Sequence, residues 1–377
     1  MRLILSIILM STLANISSCN NGSQPVHIDW NQNTTLPDIN GKPSFGYAGP
    51  VAGCIGDTII VAGGANFPDS MPWLGGKKKY YNDAFVYLKK DTGLQFLYQS
   101  KLPDTIAYPA VCSIPEGVVY AGGENQHSFS NKVRLIKNQN KDSLGFVLLP
   151  DLPEATANAS MTIRNNHLYI VGGETSGGVS AKLYTLNLSS TESGWKELAA
   201  LPKPASHGLL IAQSGKLFFI GGRMKTTSGI SDLYNSVYVY DLASNQWIEK
   251  KPLPYALSAG TGIAYNTDEI LLFGGDRGET FHKTEEFLAA IANEKDTTKK
   301  EELVLQKNKL QSTHPGFSSE VLQYNTEKDE WVVAGTIPFD TPVTTTAFTI
   351  GDTVFIPSGE IRAGVRLSKI IMGVLKN

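Results

Sequence analysis

The chain has 377 residues, and its 33 Lys and Arg against 35 Asp and Glu give a formal charge of −2. That balance excludes nucleic acid as the main partner, because a protein that neutralises many phosphates carries a basic surplus. Hydrophobic residues at 41% supply a core, charged residues at 18% are too few for a disordered chain, and 36 Gly with 19 Pro suit strands and turns.

Met1-Arg2 is a short basic start, and Leu3 to Ala14 is an apolar run. The run is too short to cross a hydrocarbon core of about 30 Å, but it suits the centre of a signal peptide. Ile16-Ser17-Ser18-Cys19 then precedes the polar stretch Asn20 to Gln24. An aliphatic residue and two small residues before a cysteine resemble a bacterial lipoprotein signal. On that basis residues 1–18 are removed, Cys19 is lipidated and residues 19–25 form a linker. An ordinary cleaved signal with an incidental cysteine is the alternative. Either way the mature chain is expected outside the cytoplasm, as a periplasmic or outer-membrane lipoprotein of a Gram-negative bacterium. Its membrane contact is then the lipid anchor alone.

From residue 26 onward two signals repeat in phase. Gly-Gly pairs close apolar runs at Gly63-Gly64, Gly122-Gly123, Gly172-Gly173, Gly221-Gly222 and Gly274-Gly275, with a degenerate sixth copy at Ser358-Gly359. An aromatic residue stands six positions before Leu-Pro or Ile-Pro at Trp30, Phe96, Phe146, Trp195, Trp247 and Trp331. Two motifs, each recurring six times at a period of roughly 50, indicate an all-β chain folded as a six-bladed β-propeller of the kelch type. The glycines let the chain leave an inner strand beside the crowded channel. The aromatic side chains are expected between neighbouring blades, with the Pro ending each outer strand. The first aromatic signal, Trp30 to Pro37, precedes the first glycine pair, and none follows the last. Residues 26–37 should therefore be the outer strand of the sixth blade, completing a propeller over residues 26–377 and removing exposed edges.

Two insertions interrupt the repeat. Asn66 to Tyr81 follows the first glycine pair and carries Trp73; its Lys77-Lys78-Lys79 run is expected to be solvated. Residues 283–311, within the blade around 277–318, have the composition of helix. Such loops build sites or lids, or are surface decoration.

The six histidines are scattered, with no metal-binding spacing, so no metal is expected. Three cysteines cannot make a disulfide framework, and Cys54 and Cys112 fit buried positions on inner strands. More informative are polar residues just after the glycine pairs: Asn66, Glu124-Asn125, Glu174, Arg223, Asp276-Arg277 and Glu360. A ring of arginines and acids at a channel mouth suits an anionic, polyhydroxylated ligand.

Gly359-Glu360-Ile361-Arg362-Ala363-Gly364-Val365-Arg366 resembles the Gly-Glu-x-Lys-Pro-Gly-x-Arg segment of the N-acetylneuraminate epimerase (sialic acid mutarotase) family. Ala62-Gly63-Gly64-Ala65-Asn66-Phe67 is similar to that family's Ala-Gly-Gly-Ala-Gly-Phe, and Ala107-Tyr108 with Gly122-Gly123-Glu124 to its next blade. The helical insertion falls in the same blade. The motifs stand in circularly permuted order: the Glu-and-Arg blade, mid-chain in the family, is here at the C-terminal end, and ring closure restores the neighbours. The resemblance implies cofactor-independent interconversion of the α and β anomers of N-acetylneuraminate or a related 2-keto sugar acid. It assigns Glu360 as general base and Arg366 as the arginine that holds the substrate. Asn66, Glu124, Arg223, Arg277 and Arg362 are further candidates for substrate contact, with Arg362 and Ala363 replacing the family's Lys and Pro. A non-catalytic kelch propeller binding glycans or proteins stays open. A sialidase ranks lower, because Asp91 and Asp276 lack the serine of its repeated boxes.

Overall fold

Each glycine pair ends the second strand of a four-stranded antiparallel sheet, counted from the central channel. The innermost strands run one step earlier, at Val51–Ile55, Ala110–Ile114, Ser160–Arg164, Leu209–Gln213, Thr261–Tyr265 and Phe348–Ile350. The computed structural model describes residues 24–39, 41–140 and 142–376. The signal segment and Cys19 lie outside the described residues.

The glycines are thus one strand further out than the sequence suggested, and what crowds them is the adjoining blade. All five pairs have positive φ. A Cβ on Gly122 would sit 2.3 Å from the carbonyl oxygen of Thr156. That same oxygen accepts the N–H of Gly123 at 2.7 Å, and Gly64, Gly173 and Gly222 bond Ile106, Ala205 and Leu257 in the same way. The pair is a blade-to-blade joint. In the sixth blade Ser358 takes the first glycine's place at φ +57°, where a side chain is strained. Its buried hydroxyl accepts from Tyr47 N at 2.8 Å and lies 2.7 Å from Leu367 O, while Gly359 N donates to Tyr47 O at 2.8 Å. The last joint of the ring is therefore made like the others.

His27–Thr35 pairs antiparallel with Lys369–Lys376 and is the outer strand of the sixth blade, so the ring closes through both ends of the chain. The outer-strand tryptophans act between blades, as expected, whereas Phe96 is 43% exposed and meets Tyr87 of its own blade. The indole N–H groups of Trp195, Trp247 and Trp331 donate to Pro150, Ala199 and Lys251 of the preceding blade, and Trp30 meets Phe273 edge-on. The Leu or Ile of each Leu-Pro or Ile-Pro step is at most 5% exposed. Burial of six such anchors, at about 2 kcal/mol each, stabilises the sheet-to-sheet packing.

The inserted helices are α1 (Glu279–Asn293) and α2 (Thr297–Ser312), the latter capped by Asp296 accepting from Lys299 N. Glu285, buried on α1, accepts both N–H and hydroxyl of Ser231 at 2.7 Å, tying the insertion to the fourth blade. At its other side α2 reaches the turn Pro72–Leu74 of the first blade's insertion.

Candidate active site

Six residues with no sequence similarity occupy one equivalent position at the channel mouth. Gly49, Tyr108, Asn158, His207, Ala259 and Thr344 all have φ between +53° and +62°. Each N–H donates to the carbonyl of the preceding member, at 2.7 to 3.0 Å, and Gly49 donates to Thr344. The result is a closed circle of six hydrogen bonds. Five members other than glycine hold a conformation that costs L-residues energy, a feature that concentrates where function demands fixed side chains. Ala65, Glu124, Glu174, Arg223, Asp276 and Glu360, which follow the glycine pairs, bridge to this circle through the residue before each member. The polar positions singled out in the sequence thus stand around one mouth, although in the first blade the equivalent residue is Ala65, not Asn66.

Glu360 and Arg366 lie opposite one another in a short hairpin, Glu360–Arg362 against Val365–Arg366. Arg362 pairs with Val365, and the register shifts by one before Glu360. That bulge at Ile361 turns Glu360 toward Arg366; an unbroken ladder would have set it against Leu367. Glu360 Oε1 lies 3.1 Å from Arg366 Nη1 and accepts Gly364 N at 3.0 Å. The Arg366 side chain is 3% exposed. Its Nε donates to Ala65 O at 3.3 Å and its guanidinium stands over Phe67, 5.3 Å from the ring centre. Nη1 is sealed from water and makes no aligned hydrogen bond despite the nearby carboxylate. The guanidinium is thus paired and nearly buried, and the open side of the pair is the Glu360 carboxylate, 21% exposed.

The first blade's insertion roofs this hairpin: a Cβ on Gly364 would lie 2.7 Å from Pro72 and 3.1 Å from Trp73. Lys78, expected in solvent, instead bonds Glu124 at 3.1 Å and sits 4.9 Å above the Tyr108 ring. Tyr80 donates to the same carboxylate at 2.7 Å. Burial pushes the Tyr108 phenol up from its ordinary pKa; Lys78 and Arg366 oppose the shift, and Glu360 and Glu124 add to it. Tyr108 and Lys78 join the site through the fold, with no spacing signal of their own beyond the Ala-Tyr of the second blade.

The remaining candidates divide. Asn66 is buried with its amide already bonded to Gly46 O and the Tyr81 hydroxyl. Arg362 turns outward to Asp340. Arg277 stacks on Tyr255 at 3.7 Å and pairs with Glu320 at 2.8 Å, beside a hollow of about 340 Å³ under the helices. Arg223 lies across the mouth, on the fourth blade.

The central channel is a cavity of about 450 Å³, walled by Ser113, Ser160, Thr162, Thr261 and Thr346 and rimmed by Tyr108, Asn158, His207 and Thr344. Its wall is uncharged, so the charged chemistry belongs to the mouth. Cys54 and Cys112 stand on adjacent inner strands as free thiols, but they line the channel and are only partly buried, not buried as expected; removal from bulk water pushes Cys112 up to about 12. Among the described residues no group of three or more His, Cys, Asp or Glu stands together to hold a metal ion.

A family model described as N-acetylneuraminate epimerase matches residues 149–377. The N-acetylneuraminate epimerase of Haemophilus influenzae is 30% identical over 228 residues, 59% of this chain and 58% of that protein. Those of Yersinia enterocolitica (30%) and Brucella melitensis biotype 1 (28%) match over 57% and 56% of their own lengths. The chain thus spans less than two thirds of the relatives it resembles. Phe67, Lys78, Tyr108 and Glu124 lie before the family match, while the Glu360–Arg366 hairpin, Glu174 and Arg223 lie within it. With more than half of its length matched, and six blades arranged around one channel, the chain belongs to the N-acetylneuraminate epimerase family.

Proposed function

We propose that this protein interconverts the α and β anomers of N-acetylneuraminic acid, or of a closely related 2-keto sugar acid, with no cofactor. The observation that carries this reading is the Glu360–Arg366 pair at the channel mouth, a partly exposed carboxylate 3.1 Å from a buried guanidinium.

Arg366 takes the substrate's C1 carboxylate by charge-assisted hydrogen bonds, which fixes the anomeric carbon next to Glu360. Glu360 accepts the proton of the C2 hydroxyl. The C2–ring oxygen bond breaks, that oxygen takes a proton from water or a polar neighbour, and C2 becomes a ketone. Rotation about C2–C3 presents the other carbonyl face. The hydroxyl adds back, surrendering its proton, and the new C2 oxygen recovers the one held by Glu360. Atoms and charge balance, and the product is the other anomer. The Tyr108 phenol lies within electrostatic reach of this carboxylate, and Lys78 stands over the Tyr108 ring.

Circular permutation accounts for the partial match to the relatives. A comparison that follows chain order can align only one side of the cut, here residues 149–377. We further propose export as a lipoprotein through Cys19; Cys19→Ala should then leave the membrane fraction.

Glu360→Gln tests the mechanism, because the amide keeps the shape but cannot take a proton. We expect NMR exchange between anomers of freshly released α-N-acetylneuraminate to slow about 10²–10⁴-fold, the usual worth of a general base. Exchange at the wild-type rate, in a variant of equal melting temperature, would remove Glu360 from that role, and wild-type exchange no faster than the uncatalysed rate would favour a glycan-binding propeller.

A further inference from the structure

We propose that a second polar cluster, across the mouth from Glu360, is the subsite that holds the polyhydroxyl tail of the sugar acid and so selects its length. The inference rests on the proposed function above. Its members are Asn158, Glu174, Ser206, His207 and Arg223, on the third and fourth blades.

The cluster is wired in one direction. Arg223 Nη2 lies 3.2 Å from His207 Nε2. A guanidinium can only donate, so Nε2 is the acceptor and the imidazole proton sits on Nδ1. Nδ1 faces Ser206 Oγ at 3.1 Å, with Glu174 Oε1 at 3.6 Å. Ser206 Oγ and Asn158 Nδ2 donate to the two Glu174 oxygens at 3.3 and 3.0 Å. The His207 side chain is only 8% exposed, and burial together with Arg223 keeps it neutral. Glu174, one-third exposed, is the open end of the chain of bonds.

Two features point to a ligand. Among the described residues Arg223 has no carboxylate partner; its other neighbour is the Phe281 ring of α1, 4.4 Å from the guanidinium carbon. Asn158 and His207 also line the same 450 Å³ cavity as Tyr108, whose phenol lies within electrostatic reach of Glu360 and Arg366. Adjacent members of the hydrogen-bonded circle should be about 5 Å apart, which makes the circle roughly 10 Å across. A nine-carbon sugar acid held at its carboxylate by Arg366 can reach the far rim with its other end. There a carboxylate that accepts, a guanidinium that donates and an amide that does both suit vicinal hydroxyls. The N-acetyl group, with its methyl, would want an apolar wall instead.

The test uses the full-length protein and two sugars: N-acetylneuraminate, and its seven-carbon analogue made by periodate cleavage and borohydride reduction of the tail while C2 is held as a glycoside, then released. Wild type should exchange the analogue with about 10–100-fold lower kcat/KM. Glu174→Gln should raise KM for the nine-carbon sugar about tenfold and leave the analogue's unchanged; Arg223→Met should do the same. Equal losses on both sugars would make the cluster a structural prop and overturn the proposal, as would wild-type indifference to tail length. Titration of Glu360→Gln with both sugars gives the same comparison without chemistry. Tail-dependent binding there, with no exchange by wild type, would sustain the subsite and overturn the mutarotase function; binding of neither sugar would overturn both.

Discussion

Arg366 carries a charge into a place nearly closed to water, and its environment is balanced on one partner. Removing one member of a fully buried pair costs 3–5 kcal/mol. Glu360 keeps 21% of its side chain exposed, so Arg366→Ala should cost less, about 1–3 kcal/mol. Its larger effect should be on substrate: KM rises, and activity returns only in part at high sugar, because orientation is lost with charge. Full recovery at saturation would make Arg366 a mere electrostatic attractor. His207 supplies a pH prediction. It is held below its ordinary value of 6.5 by burial first and Arg223 second, with Glu174 on its other side. Below about pH 6.5 the unfolded chain therefore binds a proton the folded chain refuses, and stability must fall as pH drops from 7 toward 5. His314 is lowered too, by burial, so the informative quantity is a difference. In His207→Asn, a residue that tolerates positive φ, the melting temperature should fall less steeply over that range. Parallel slopes would show that His207 titrates freely.

At the scale of an element, the Glu360–Arg366 hairpin separates what sequence can carry from what it cannot. A spacing of six was legible; the bulge at Ile361 that makes residues six apart face each other was not, since it leaves no compositional mark. Ala363 stands where the family has Pro, and Pro72 and Trp73 cover the turn at Gly364 from a segment nearly 300 residues away. Lys78, read in sequence as part of a solvated run, lies over Tyr108 at the start of the next blade, a contact that composition does not mark. Helix α1 begins at Glu279, ahead of the expected 283, because Gly278 at φ +91° lets the chain enter it directly after Asp276-Arg277. Gly364 is the point where these contacts converge, at φ +71° beneath Pro72. Gly364→Ala should cost about 1–2 kcal/mol for the left-handed conformation alone, and more as the roof shifts. Its N–H then moves off Glu360 Oε1, so exchange should slow together with the fall in melting temperature. Wild-type values for both would mean that the roof is not in contact.

The whole molecule is a ring, and a ring has no privileged place for its ends. Periodicity revealed this in the sequence because the glycine joints and aromatic anchors are local. The hydrogen-bonded circle at the mouth is marked by position and not by residue type: Gly, Tyr, Asn, His, Ala and Thr share a backbone angle and a fixed place ahead of each blade's glycine joint. The described chain brings its ends together, with His27 opposite Lys376 in the closing strand pair. If permutation explains the partial match to the relatives, the cut can be moved. Joining the ends with about four residues and opening the exposed turn Thr191–Ser193 in the third blade would make Lys196–Leu198 an N-terminal outer strand that closes that sheet. Such exposed turns tolerate new termini. The permutant should keep one cooperative transition and wild-type exchange of anomers. A loss of roughly 2–3 kcal/mol would lower its melting temperature by less than about 10 °C in a chain of this size. A folded ring without exchange would tie the activity to the present order of blades. A permutant that unfolds would mean that closure by His27–Thr35 contributes more than the adjacency of two ends.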